Sequence, residues 1–317
     1  MTDTAGVPVA SNSAGWWHRA WDSDVAWSFR HAPVAVAAAI VLAILLGGAV
    51  LATWVAPHDP FDLRTLNLLD AMKPPAWLAD GTSTYLLGTD DQGRDVLSAI
   101  LFGSRISLLV GLAAVSLAML LGVALGLIAG YAGGKTDAII MRIADVQLSF
   151  PAILIALLVD GVARVALPRA AHDNVAFVVL VLAIAAANWV QYARTVRGTT
   201  MVERHKEYVQ AARVVGRSPL AIMRLHLLPN VLGPVLVLAT INLPTAIVTE
   251  ATLSFLGVGV PPTQPSLGTL IRIGNDFLFS GEWWITIFPG AALVLMVLAV
   301  NLLGDWLRDA LNPRLQA

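Results

Sequence analysis

The sequence predicts an all-α polytopic membrane protein of about six transmembrane helices, and three observations carry that prediction. Of 317 residues, 57% are hydrophobic and only 13% are charged, against roughly 25% charged in soluble domains. Five apolar stretches are long enough to cross a bilayer and a sixth nearly qualifies. Lys and Arg divide unevenly between the segments that connect them. A chain with a mean hydropathy of +0.73 has too little polar surface to coat a water-soluble globule. The net charge of −1 lacks the basic field of a nucleic-acid binder. There is no cysteine, which excludes disulfides, thiolate metal sites and cysteine nucleophiles.

A span needs about 20 apolar residues, because a helix rises about 1.5 Å per residue and the hydrocarbon core is about 30 Å thick. Residues 1–33 precede the first span and are expected to be cytoplasmic, with 34–317 forming the membrane domain. Val34 to Ala56 runs 23 residues without a charge. A cleaved signal peptide is rejected there, since the apolar run far exceeds an h-region of about 7–15 residues. Trp16, Trp17, Trp21, Trp27 and Phe29 make residues 16–30 either an interfacial helix or a loosely ordered aromatic tail. Ile106 to Gly134 holds 29 uncharged residues, Asn174 to Ala193 holds 20, Leu225 to Thr249 holds 25 and Trp283 to Gly304 holds 22. The sixth stretch, Ala138 to Val159, contains Arg142 and Asp145, which are three apart and so expected to pair on one helix face. The spans are placed at about 34–56, 106–129, 138–159, 174–193, 231–253 and 283–304.

With both termini cytoplasmic, 13 of the 20 Lys and Arg lie on the inside and 7 outside, the bias of the positive-inside rule. Trp54, Trp189, Trp283, Trp284 and Trp306 lie near span ends, where indole prefers the interface. Proline-rich external segments are expected at 57–105 and 254–282. The longest polar stretch inside is 194–230.

That inner stretch reads RTVRGTTMVERHKEYVQAARVVGRSPLAIMRLHLLPN. Glu203 to Val215 has no helix breaker before Gly216. Ser218 and Pro219 then restart a helix as N-cap and first residue. The expectation is two short helices about a glycine corner, with Ala211 and Ala212 leaving a shallow surface for another protein. Here the chain resembles the permease subunits of ABC importers. Their loop pattern is E-A-A, three residues, G, nine residues, I-x-L-P. This chain has Gln210-Ala211-Ala212, Gly216 and His226-Leu227-Leu228-Pro229 at that spacing, with Gln210 for Glu and His226 for Ile. LLGTDDQGRDVLSAILFGSRISLLVG, IMRIADVQLSFPAILIAL, EATLSFLGVGVPPTQPSLGTLI and GDWLRDALNP extend the likeness to the C-type subunit of dipeptide and oligopeptide importers.

The resemblance implies a type I ABC importer permease fold in the bacterial inner membrane. It implies a loop, residues 203–229, that docks on a separate ATPase subunit. Gln210, Ala211, Ala212 and Gly216 would lie at that contact, with Arg213, Arg217 and Pro229 beside it. It further implies a second permease, a different chain, two ATPases and an external peptide-binding protein. ATP and Mg²⁺ would be used by the ATPases, with no cofactor, metal or catalytic residue in this chain.

Other constellations are weaker. Gly134-Lys135-Thr136 ends like a phosphate loop, but the first glycine would fall at 129, which is Ala. Asp90, Asp91 and Asp95, with His58 and Asp59, suggest either a divalent-metal site or an Asp-rich turn capping the helix that starts near Arg94. Glu250 is an ionisable group at the end of the fifth span, so it is a candidate for the substrate path or simply emerges at the outer interface. Pro234 and Pro244 kink that span. A membrane-embedded enzyme would need titratable residues clustered on facing spans, and a scaffold would not need the spaced loop. Nickel, glutathione or another small solute would fit the same scaffold as peptides do.

Overall fold

A computed structural model describes residues 24–62, 66–168 and 172–310. Trp16, Trp17 and Trp21 lie outside them. Among the described residues the fold is helical throughout, and the extended pairing is limited to one bridge between Thr89 and Asp95. Helix α1 (Asp24–Arg30) leads into α2 (Pro33–Val50), which starts with proline in its first turn, and a short α3 (Ala52–Val55) follows. Trp27 and Phe29 sit on α1, where Phe29 packs edge-on against Trp306.

Helix α4 (Val96–Ala132) is 37 residues long, about 55 Å at the usual rise, so it projects well past the hydrocarbon core. Asp95 caps its start by accepting from the Ser98 N–H at 3.0 Å. Gly133 and Gly134, with φ of +64° and +54°, turn the chain at its end. That left-handed backbone accounts for the Gly-Lys-Thr sequence as a turn. Helix α7 (His172–Glu203) packs along α4. Gly122, Gly126 and Gly130 form the seam on α4. A Cβ on any of them would lie within 2.9 Å of the carbonyl oxygen of Trp189, Ala193 or Arg197 respectively. Small residues at this spacing let two backbones approach closely in a membrane.

The stretch expected as one span at 138–159 is two helices, α5 (Gly134–Leu148) and α6 (Ala152–Ala166), bent by 97°. The residue before a proline is driven from helical dihedrals, and here Phe150 precedes Pro151. Gln147 holds the bend to α7, donating to the Ala186 carbonyl at 2.6 Å and accepting from Trp189 Nε1 at 2.7 Å. Asp145 does not pair with Arg142. It pairs with Arg194 of α7 at 2.5 Å, because tertiary packing brings that guanidinium alongside.

Helix α7 also runs ten residues beyond the expected span end at Ala193. Val196, Thr200 and Glu203 continue its buried stripe, so packing sustains the helix after the apolar run ends. Then come α8 (Glu207–Val214), α9 (Pro219–Ile222), a π-turn (Met223–Leu227) and α10 (Leu228–Phe255), which contains Pro234 and Pro244. A short helix α11 (Leu267–Asn275) and α12 (Trp284–Ala310) complete the bundle. One core cluster, with Leu108, Ile247, Leu267, Trp284 and Met296, joins α4, α10, α11 and α12. A second, with Leu127, Val196, Val209, Ile222 and Leu227, lies under the loop between α7 and α10.

Candidate coupling loop

The loop is not one helix from Glu203 to Val215. Glu203 closes α7 by drawing in the residues that follow: its carboxylate accepts from Lys206 Nζ at 2.6 Å and from the Tyr208 hydroxyl at 2.5 Å. This breaks the helix at 204–206. Arg204 reaches back to the end of α4 and donates to the Gly130 carbonyl at 2.9 Å, a cation placed where a helix presents unpaired carbonyls. Asn230 at the start of α10 donates to the Tyr208 oxygen at 3.2 Å and to the His226 carbonyl at 2.7 Å. The Tyr208 hydroxyl is pushed up to about 12, by burial first and then by its bond to Glu203. It therefore remains a donor throughout the physiological range.

On this base α8 turns Val209 and Ala212 inward, into the cluster with Ile222 and Leu227. Ala212, expected at the contact surface beside Ala211, is buried. Successive helical residues point about 100° apart, and here that rotation leaves Ala211 exposed while Ala212 turns in. Gln210 is exposed, and its amide donates to the Arg204 carbonyl at 3.0 Å. A glutamate could not make that bond, which gives a physical reason for glutamine at this position. Arg213 lies over the Tyr131 ring of α4 at 5.1 Å, a cation–π contact, so its side chain binds the loop to the bundle.

Gly216 makes the corner with φ +79°. Its N–H donates to the Arg213 carbonyl at 2.9 Å and the Arg217 N–H to the Ala212 carbonyl at 3.0 Å, the two bonds of a Schellman stop. Ser218 Oγ then accepts from the Ala221 N–H at 3.3 Å, and Pro219 opens α9, as expected. Around this corner Val214, Val215 and Leu220 are 88, 78 and 71% exposed. Sequence reasoning missed this apolar knob. The signal was present as two valines directly before a glycine turn, where polar residues are the norm. Gly216 and Arg217 are exposed at this corner, and Pro229 is exposed at the start of α10.

At the opposite end of the bundle, Glu250 neither emerges nor opens on a path. It is 0% exposed. Ser107 Oγ on α4 and Ser254 Oγ each donate to its carboxyl at 2.7 Å, and the Leu267 N–H of α11 donates to Ser107 Oγ at 3.2 Å. Glu250 therefore clasps three helices together. The Asp-rich segment is engaged as well. Asp90 accepts from Arg94 Nε at 2.6 Å, and both side chains are about 95% buried. Arg94 also donates to the Pro262 carbonyl at 3.3 Å, which ties together the two proline-rich segments expected to be external. Asp95 is the helix cap, as the sequence suggested.

Comparison with known proteins agrees with this geometry. The family model described as "Binding-protein-dependent transport system inner membrane component" matches residues 122–317. The model described as "N-terminal TM domain of oligopeptide transport permease C" matches 15–75. The di/tripeptide transport system permease protein DppC of Pseudomonas aeruginosa is 39% identical over 289 residues, 91% of either chain. The dipeptide transport system permease protein DppC of Escherichia coli is 41% identical, also over 91% of each. Among solved structures, that of the MetNI methionine ABC transporter in inward-facing conformations superposes with a TM-score of 0.52. It is 20% identical and covers 68% of this chain and 96% of that one, a likeness of fold. The chain belongs to the binding-protein-dependent transport inner-membrane family and is a permease subunit of the dipeptide and oligopeptide ABC importer type.

Proposed function

We infer that this chain forms half of the path of an importer for di- and oligopeptides, and that its α8–α9 loop is the mechanical link to a separate ATPase. The relatives are named for di- and tripeptides, which makes peptide the cargo. The observation that carries the coupling role is the knob of Val214, Val215 and Leu220. It is held at a Schellman corner over a base of named bonds to α4, α7 and α10. An apolar knob facing water needs a partner's groove. The 13-to-7 charge division supports a cytoplasmic loop and cytoplasmic termini in a bacterial inner membrane.

The break at Ser149 to Pro151 supports a second permease. These three residues are exposed on this chain, and within a span non-helical backbone is tolerated only against protein or a water-filled cavity. A neighbouring permease, a different chain in this reading, supplies that surface, and the path runs between the two. Two ATPases bind ATP and Mg²⁺ beneath them, and an external binding protein delivers peptide. When ATP closes the ATPase dimer, the two knobs are drawn together. Arg204 and Arg213 carry that displacement to α4, Glu203 carries it to α7, and Asn230 carries it to α10. Catalysis belongs to the ATPases, and this chain moves.

Purification of the tagged chain at native expression tests the reading. A second permease and the ATPases are expected in simple ratio. Gly216→Asp has room for its side chain, since a Cβ there meets nothing within 4 Å, and costs about 1 kcal/mol in the left-handed backbone. It is expected to release the ATPases while keeping the permease pair. A chain that purifies alone, or a variant that retains its ATPases, would remove the coupling role from this loop.

A further inference from the structure

We propose that the cleft between α6, α7 and the turn after α10 is a subsite for the free carboxylate of a small peptide, recognised by Arg272. The proposal rests on the reading of this chain as a peptide permease. The cleft encloses about 170 Å³ and opens to solvent at its mouth. One wall is Asp160 and Arg164 of α6, another is His172 and Val175 of α7, and Pro262 and Arg272 face them. Arg272 comes from α11. Ser266 caps the start of that helix, and the Leu267 N–H is bonded to Ser107, so the guanidinium stands on a fixed base.

The cations of the cleft differ. Arg164 is neutralised by Asp160, with Nε 2.5 Å from Oδ2. Arg272 has no carboxylate within ion-pair distance among the described residues, and its Nε is buried without a hydrogen-bond partner. A guanidinium offers five N–H donors in a rigid fork, and a buried donor left unbonded is unfavourable. The terminal nitrogens of Arg272 also make no hydrogen bond among the described residues and, unlike Nε, are not occluded; a ligand carboxylate meets them there, and its planar fork matches that of arginine. Asp160, which also lines the cleft, disfavours a multiply charged anion such as phosphate. Its Oδ1 accepts no bond from the described residues, which leaves an acceptor for a peptide's ammonium group. His172 is held by its Nε2 against the Leu167 carbonyl at 3.0 Å, which fixes the remaining wall.

The test uses the complete membrane complex with its ATPases, in phosphatidylcholine nanodiscs and without binding protein. Dialanine and its C-terminal amide are titrated by saturation-transfer NMR. The acid is expected to bind about tenfold or more tightly than the amide, the loss of one charge-assisted bond. Arg272→Gln should weaken the acid by the same factor and erase the difference, while Arg272→Lys recovers part of it. ATPase co-purification confirms that each variant assembles. Unchanged affinity in Arg272→Gln, or an amide bound as tightly as the acid, overturns the proposal. Adding phosphatidylglycerol should leave dialanine binding intact, and displacement by it would assign Arg272 to a lipid headgroup and overturn the proposal equally. Uptake into proteoliposomes with binding protein separates the two levels. If the wild type imports dialanine but Arg272→Gln binds it normally, only the cleft assignment fails. If the wild type imports none, the peptide reading fails and the cleft assignment fails with it.

Discussion

Val214, Val215 and Leu220 project from one end of the bundle, and the polar bonds that hold them lie beneath, at Glu203, Arg204 and Tyr208. At the other end the order is reversed. The Asp90–Arg94 pair, Asp95 and Glu250 are themselves buried, between segments they join. The difference teaches where function can be altered without altering the fold. A side chain on the knob touches only what docks there. A buried charge in this clasp, on the side read as outer from the charge bias, cannot change without leaving its partner unpaired in a low-dielectric site.

The sharpest test of that contrast is Arg94→Leu. It strands Asp90 about 95% buried, and breaking a buried pair costs about 3–5 kcal/mol. Thermal unfolding in mild detergent should show the largest loss of any variant considered. The double variant Asp90→Asn/Arg94→Leu should recover part of it, because the asparagine oxygen can still accept the Gln92 and Arg94 backbone N–H bonds. If the single variant melts with the wild type, the clasp is not what secures the outer end.

The converse variant is Leu220→Asp. Its side chain is 71% exposed, so stability should change by no more than about 0.5 kcal/mol. Affinity for the ATPase should fall by more than tenfold, about 2 kcal/mol, on the scale of an interface hot spot. Surface plasmon resonance with the purified ATPase measures it. A variant that binds normally would show that the knob points at something else.

Five of the expected spans were legible because apolar length is a one-dimensional quantity, whereas the sixth is a bent pair of helices. The glycine corner and the Ser218 cap were legible because local backbone chemistry decides them. What failed were the contacts. Asp145 was matched to Arg142 by sequence spacing, whereas Arg194 on α7 takes it. Ala212 was placed beside Ala211, although helix rotation sends one in and one out. Glu250 was read from its charge, yet serines on two helices enclose it. The seam at Gly122, Gly126 and Gly130 was printed in the chain at four-residue spacing, and within a long apolar run that spacing was the available signal. The bend at Pro151 was also written there, as a proline inside an expected span.

Asp91 offers the mildest test of the outer clasp. Burial raises its pKa above the ordinary carboxylate value of 3.8, and the neighbouring Asp90 charge adds to that, against a smaller opposing effect of Arg94. Its Oδ1 is buried without a hydrogen-bond partner. A carboxyl whose pKa is higher folded than unfolded binds more protons in the folded state. Stability therefore falls as pH rises through that window, and above the folded pKa the penalty is complete. Asp91→Asn removes the charge and should be more stable than the wild type at neutral pH, by on the order of 0.5 kcal/mol, since part of the group is still screened by water. The advantage should shrink as pH falls and vanish below about 3.8. Melting curves of both proteins across that range measure the gap directly. Asp70 has the opposite sign, because Lys73 holds it below its ordinary value, so it erodes both proteins equally in acid and drops out of the difference. A gap that stays constant with pH would mean that Asp91 is not ionising against the clasp, and that the outer end tolerates at this position the charge that it cannot tolerate unpaired at Asp90.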